Sequence, residues 1–295
     1  MRERASHTAE AVCLIRAREQ LREPEHRVLH DPFAATFLSP AGRLGLRAAG
    51  MAPGLVDAAE QLSSGLQTFV LARHALFDAW LRRALEGPVA QVVLLGAGYD
   101  TRAWRLATTL ADRPVFEVDH PATSRRKARL LAEGSLSAGP AWPRAHREIV
   151  ECDFEQDRFV DRLVDHGFDP LAPTFWIWEG VTMYLRRAAV VRTLEDIAAS
   201  SAPGSQLAMD LWFLVDDPDL RATFLRASAN LLSVLGEPIT FGLHPEDAPD
   251  FLARRGLRLR ESIDAGGLQR ELVPDGRPVY PAIWCCLAEV DGASE

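Results

Sequence analysis

Apolar positions recur at helical spacing over residues 8–22, where Ala11, Leu14, Ile15 and Leu21 fall on one stripe. The segment HDPFAATFL follows, and its Asp-Pro pair marks a turn. Residues 40–54 carry four glycines and two prolines and read as irregular. A helical pattern returns over about 56–86 and stops at Gly87-Pro88. From residue 89 the rhythm changes. Short, nearly continuous apolar runs at 90–95, 114–119, 147–152, 174–178 and 206–212 alternate with helical stretches near 101–111, 121–133, 156–166 and 186–200. Alternation of this kind predicts an α/β fold, a mostly parallel sheet with helices on both faces.

After the fifth run the pattern is interrupted by residues 213–244, with a helical centre at 218–235. A helix and a strand follow in HPEDAPDFLARRGLRLRES, and PVYPAIWCCLAEV supplies a last strand. The expected organisation is an N-terminal helical cap over 1–88 and a ligand-binding α/β domain over 89–295. Residues 213–244 are expected to form a lid insertion after the fifth strand.

Composition narrows the classes of function. The chain of 295 residues is 47% hydrophobic and 25% charged, which suits a soluble globular protein. Its formal net charge of −8 argues against nucleic acid as a partner. Lys127 is the single lysine, so nearly all basic charge is arginine, the side chain best suited to bidentate recognition of carboxylates. Cys13, Cys152, Cys285 and Cys286 have neither zinc-site nor disulfide-framework spacing. His26 and His30 have i, i+4 spacing but lack a third ligand nearby, so no metal is expected. The N-terminus has no apolar signal core, and no apolar run reaches membrane-spanning length. The expected location is the cytoplasm, without a membrane partner. Oligomeric state is not legible.

The chemistry begins at VVLLGAGYDTRAWRL, residues 92–106. An apolar strand ends in Gly96-Ala97-Gly98, as in nucleotide-binding turns, but Thr101 stands where a dinucleotide fingerprint has its third glycine. That glycine serves close helix packing beside a pyrophosphate, so its loss points to a ligand without one. S-adenosylmethionine is such a ligand. It needs an acid for its ribose hydroxyls, a polar group for its adenine, and an acid or carbonyl near its ammonium. Asp119, twenty-three positions past Gly96, ends the second strand and suits the ribose. Asp153 ends the third and can accept from the adenine amino group, with Phe154 packing on the ring. Glu179 ends the fourth, beside the expected reaction centre.

These segments, VVLLGAGYDTRAWRL, FEVDHP, CDFEQD and FWIWEGVTMYL, resemble the leucine carboxyl methyltransferase family of S-adenosylmethionine-dependent methyltransferases. The resemblance extends to RAREQLREPEHRVLHDPFA, LARHALFDAWL and FGLHPEDAPDFLARRGLRL, and so covers most of the chain. It implies a class I methyltransferase fold with a helical cap, and O-methylation of a specialised metabolite such as a polyketide. It also implies cofactor contacts at Arg73 (carboxylate), Gly96 and Gly98 (turn), Asp119 (ribose), Asp153 and Phe154 (adenine) and Glu179. Phe154 departs from the leucine common in the family. Trp176 and Trp178 are bulkier than usual there and share one face of their strand, where Trp178 is expected to shape the substrate pocket.

Methyl transfer from a sulfonium is an in-line displacement that depends on positioning. A carboxylate acceptor is ionised at neutral pH and needs no base, whereas a hydroxyl usually needs one. His74 and His120 read as structural, which favours a small-molecule carboxyl, with hydroxyl as the other possibility. Tyr184 and Arg102 are the candidates for orienting the acceptor. The alternatives are methylation of a protein's C-terminal carboxyl, a methyltransferase-like binding protein without activity, and an NAD(P)-dependent oxidoreductase. Thr101 and the lack of a Tyr-x-x-x-Lys pair disfavour the last.

Overall fold

Each apolar run becomes a strand: β1 Gln91–Leu95, β2 Val115–Asp119, β3 Arg147–Glu151, β4 Thr174–Trp178 and β5 Gln206–Trp212. Two more follow, β6 Leu257–Ile263 and β7 Ile283–Val290. The protein is seen here in a computed structural model that describes residues 7–52, 54, 65–133, 146–154, 157–212 and 239–291. The strands form one seven-stranded sheet in the order β3-β2-β1-β4-β5-β7-β6. The first five are parallel, while β7 runs antiparallel between β5 and β6. Strand order reverses between β1 and β4, and the crevice at the carboxyl ends of those strands is where such a sheet accepts ligands.

The runs are continuous because both faces are covered. Val92, Leu94, Phe175 and Ile177 join one buried cluster with Phe37, Phe69, Phe77 and Trp80. Their neighbours Val93, Leu95, Trp176 and Trp178 point the other way, into a second cluster with Phe159, Leu194 and Ile197. The helices that supply these faces are α1 His7–Glu19, α2 Pro40–Met51, α3 Leu66–Leu85, α4 Arg102–Arg105, α5 Ala107–Leu110, α6 Pro121–Glu133, α7 Phe159–Asp165, α8 Arg187–Ala199, α9 Ala248–Ala253 and α10 Ala265–Leu272. None of the described helices is long and apolar enough to cross a membrane.

The structure departs from the sequence reading at several points. The stretch at 101–111 is two short helices that meet at Leu106 rather than one. Residues 40–54 are not irregular, since most of them form α2. Ser39 caps that helix by accepting from the Gly42 N–H at 3.1 Å, and Pro40 begins it. Its glycines admit a close neighbour: a Cβ on Gly42 would lie 2.9 Å from a Glu10 carboxylate oxygen of α1. Ser39-Pro40 is a helix-start signal that the four glycines of 40–54 obscure in the sequence. Trp178 does not shape a pocket, because its ring is fully buried in the second cluster. Of the expected lid, 213–238 lies outside the described residues, as does 56–64 of the predicted 56–86 helix.

Ser39→Ala removes the α2 cap and should cost about 1 kcal/mol of stability. Urea unfolding should show a lower midpoint at unchanged slope.

Candidate functional site

The turn after β1 is pinned to β2. The N–H groups of Gly96 and Ala97 both donate to the Val118 carbonyl, at 2.8 and 3.0 Å. Gly96 has φ of 70°, and a Cβ there would meet Val181 Cγ2 at 2.3 Å, so only glycine fits. Gly98 donates its N–H to Asp119 Oδ2 at 2.5 Å, and His120 N–H donates to Asp119 Oδ1 at 2.6 Å. Two backbone donors thus fix the carboxylate, which retains acceptor capacity for further donors. Burial pushes the Asp119 pKa up against the pull of those two N–H groups.

Above this turn lies a cavity of about 560 Å³. Gly96, Gly98 and Asp119 line it from one side, Asp153 and Phe154 from the end of β3, and Arg73, Glu179 and Tyr184 from the other. Helix α1 contributes Ala9, Val12 and Arg16. The structure therefore brings together every residue nominated from sequence except Arg102, which lies behind the wall.

Arg102 is 1% exposed and serves three acids. Its Nε donates to Asp78 at 2.7 Å, Nη1 to Asp100 at 2.5 Å and Nη2 to Glu179 at 2.8 Å. Reaching an acceptor in the cavity would mean abandoning buried carboxylates, so its connection to the site runs through Glu179. That glutamate also accepts from Arg73 Nε at 3.1 Å and meets His74 Nδ1 at 3.0 Å. Burial alone would raise its pKa, but His74, Arg102 and Arg73 outweigh it and hold the group well below the usual carboxylate range. Arg73 in turn donates Nη1 to Asp210 at 2.7 Å. A second tier completes the cluster: Arg105 pairs with Asp78, and Arg16 with Asp31 at 2.9 Å.

The two histidines that line the cavity are both engaged. His74 is neutral, because burial first and Arg102 second lower its pKa. Arg105 Nη2 donates to its Nε2 at 2.8 Å, which places the ring proton on Nδ1, facing Glu179. His120 accepts the Ala122 N–H on Nδ1 at 3.2 Å and so caps the start of α6. His74, Asp100 and Glu179 could in principle surround a cation. Arg102 already donates to both of those acids, however, so the charge a metal would supply is provided by a guanidinium.

Among the contributors that the sequence analysis does not single out are Asp210, Asp78 and Arg16. Asp210 carries a readable signal. It is a lone acid inside the apolar run QLAMDLW, and a charge buried in a central strand must be paired. Asp78 and Arg16 sit on helices among many other charged residues and had no such contrast.

Arg102→Ala would strand Asp78, Asp100 and Glu179 without their shared cation. It should cost about 3–5 kcal/mol, read by urea unfolding, far more than loss of a surface arginine.

Comparison with known proteins gives this geometry a context. A sequence profile of the leucine carboxyl methyltransferase family matches residues 9–198. A Parafrankia protein, named as a candidate S-adenosyl-L-methionine-dependent methyltransferase, is 35% identical over 277 residues, covering 92% of this chain and 83% of that protein. A protein of the same name from Mycobacteroides abscessus is 32% identical over 290 residues, with coverages of 92% and 88%. Among solved structures, a DUF574 family protein from Streptomyces avermitilis aligns with a TM-score of 0.58 at 16% identity, covering 97% of this chain and 98% of the other. A candidate methyltransferase from Thermobifida fusca gives the same TM-score at 18% identity, with coverages of 88% and 93%. The shared architecture is the class I methyltransferase fold.

Proposed function

The chain belongs to the leucine carboxyl methyltransferase family of S-adenosylmethionine-dependent methyltransferases, and from that premise we propose that it methylates a carboxylate oxygen of a small molecule. The donor set suits the cofactor. Four arginines (Arg16, Arg73, Arg102, Arg105) face five acids (Asp31, Asp78, Asp100, Glu179, Asp210), which leaves one surplus negative charge beside the cavity for a cationic ligand. In this reading Asp119 accepts from the ribose hydroxyls, and Asp153 and Phe154 hold the adenine. Arg73 meets the carboxylate, Glu179 lies toward the ammonium, and Gly96 and Gly98 let the backbone come close. When bound, the cofactor supplies an electrophilic methyl group on a sulfonium.

The rest of the reading concerns the acceptor. One observation carries the carboxyl assignment: the basic lone pairs of both cavity histidines are already used. His74 accepts from Arg105 on Nε2, and His120 accepts from the Ala122 N–H on Nδ1. Neither ring offers a base to a hydroxyl, so an acceptor ionised on its own fits best. Tyr184, which lines the cavity from the turn after β4, orients that acceptor in this reading. Arg102 contributes by holding Glu179. In this reading the described part of the N-terminal cap segment walls the cavity through α1, and the chemistry belongs to the cytoplasm.

The distinguishing experiment uses S-adenosylmethionine carrying a labelled methyl group and a panel of small carboxylic acids and phenols. Alkaline treatment of the product should release the label as methanol, since methyl esters hydrolyse and aryl ethers do not. Label that survives alkali would assign a hydroxyl acceptor and overturn the carboxyl reading. With the true acceptor, Tyr184→Phe should lower turnover while binding of the cofactor's demethylated product, S-adenosylhomocysteine, is kept. Unchanged turnover would remove Tyr184 from the mechanism.

A further inference from the structure

Asp210 lies in the middle of β5, fully buried, and does not line the cavity. Two groups that do line it are tied to this one carboxylate. Oδ2 accepts from Arg73 Nη1 at 2.7 Å, and Oδ1 accepts from the Gly180 N–H at 2.6 Å. The same turn is fastened a second time, because Thr182 Oγ1 donates to the Asp210 carbonyl at 2.8 Å. Gly180 has φ of 69°, and a Cβ there would lie 3.2 Å from Arg73 Nη2 and 3.3 Å from Nη1. The Arg73 guanidinium is thus held between a buried acid and a bare stretch of backbone.

This arrangement decides how Arg73 presents itself. Its Nε donates to Glu179 and its Nη1 to Asp210, so the fork is split between an acid just past β4 and one inside β5. Both Nη atoms lie beside Gly180, and Arg73 and Gly180 both line the cavity; Nη2 is the nitrogen given to neither acid. Without Asp210, the acid left in reach among the described residues is Glu179. A guanidinium facing a single carboxylate closes a bidentate pair with it and turns its donors away from any other anion. We propose that Asp210 is a positioning residue for the amino-acid end of the cofactor: it splits the Arg73 fork and sets the Gly180 N–H so that Arg73 offers Nη2 to a ligand carboxylate. The proposal rests on the cofactor reading above and adds to it a residue that never touches the ligand.

The test is calorimetric titration of the full chain with two ligands. S-adenosylhomocysteine carries the amino-acid end, and 5′-methylthioadenosine keeps the nucleoside but lacks that end. Asp210→Asn preserves the size of the side chain and an acceptor for the Gly180 N–H but removes the charge that holds Arg73. Its affinity for S-adenosylhomocysteine should fall by about tenfold or more, the scale of one charge-assisted hydrogen bond, while its affinity for 5′-methylthioadenosine stays that of the wild type. A purely structural role would weaken both ligands together, and that result, or no change in either, overturns the proposal. A wild-type chain that binds neither ligand defeats the cofactor reading itself and the proposal with it. If Asp210→Asn does not fold, Gly180→Ala presses on Arg73 from the other side and should give the same selective loss; an unselective effect there also overturns the proposal.

Discussion

The site depends on keeping one carboxylate, Glu179, charged at the end of a buried strand. A carboxylate removed from water carries a penalty of several kcal/mol, and close, well-directed cations are what offset it. Here they are Arg73 from α3 and Arg102 from α4, and the Nδ1–H of neutral His74 adds a hydrogen bond. Because Arg102 also serves Asp78 and Asp100, and Arg73 also serves Asp210, the end of β4 cannot be charged and ordered unless α3, α4 and β5 are docked on it. The site and the tertiary fold are therefore one electrostatic unit. Its donors are already fixed when a ligand arrives, so little reorganisation is left for the reacting complex, the condition under which fixed charges act most strongly on a reaction.

This explains why some of the molecule was legible in the sequence and some was not. The strands were legible because a sheet covered on both faces demands near-continuous apolar runs, and such runs are local. Gly96, Gly98, Asp119 and Glu179 were legible because a turn or a charge at the end of an apolar run stands out from it. Helix α2 was hidden because its glycines serve contact with α1, a tertiary reason that outweighs helix propensity. The partners of Arg73 were hidden by distance: Glu179 lies 106 positions away and Asp210 lies 137 away. Arg102, one candidate for orienting the acceptor, follows the glycine turn in sequence. Its side chain, however, goes where buried acids are: Asp100 is two positions away, but Asp78 lies on α3 and Glu179 just past β4.

The same electrostatics bear on the order of events at the site. The cluster carries one more acid than arginine, and Asp119 and Asp153 add further acidic lining. In a wall this deeply buried, Coulomb interactions are several-fold stronger than in water. Such a wall favours a ligand bearing a sulfonium over the same ligand after the methyl group and its positive charge have left. An exposed wall could not make that distinction, because water would screen the single charge that separates the two ligands.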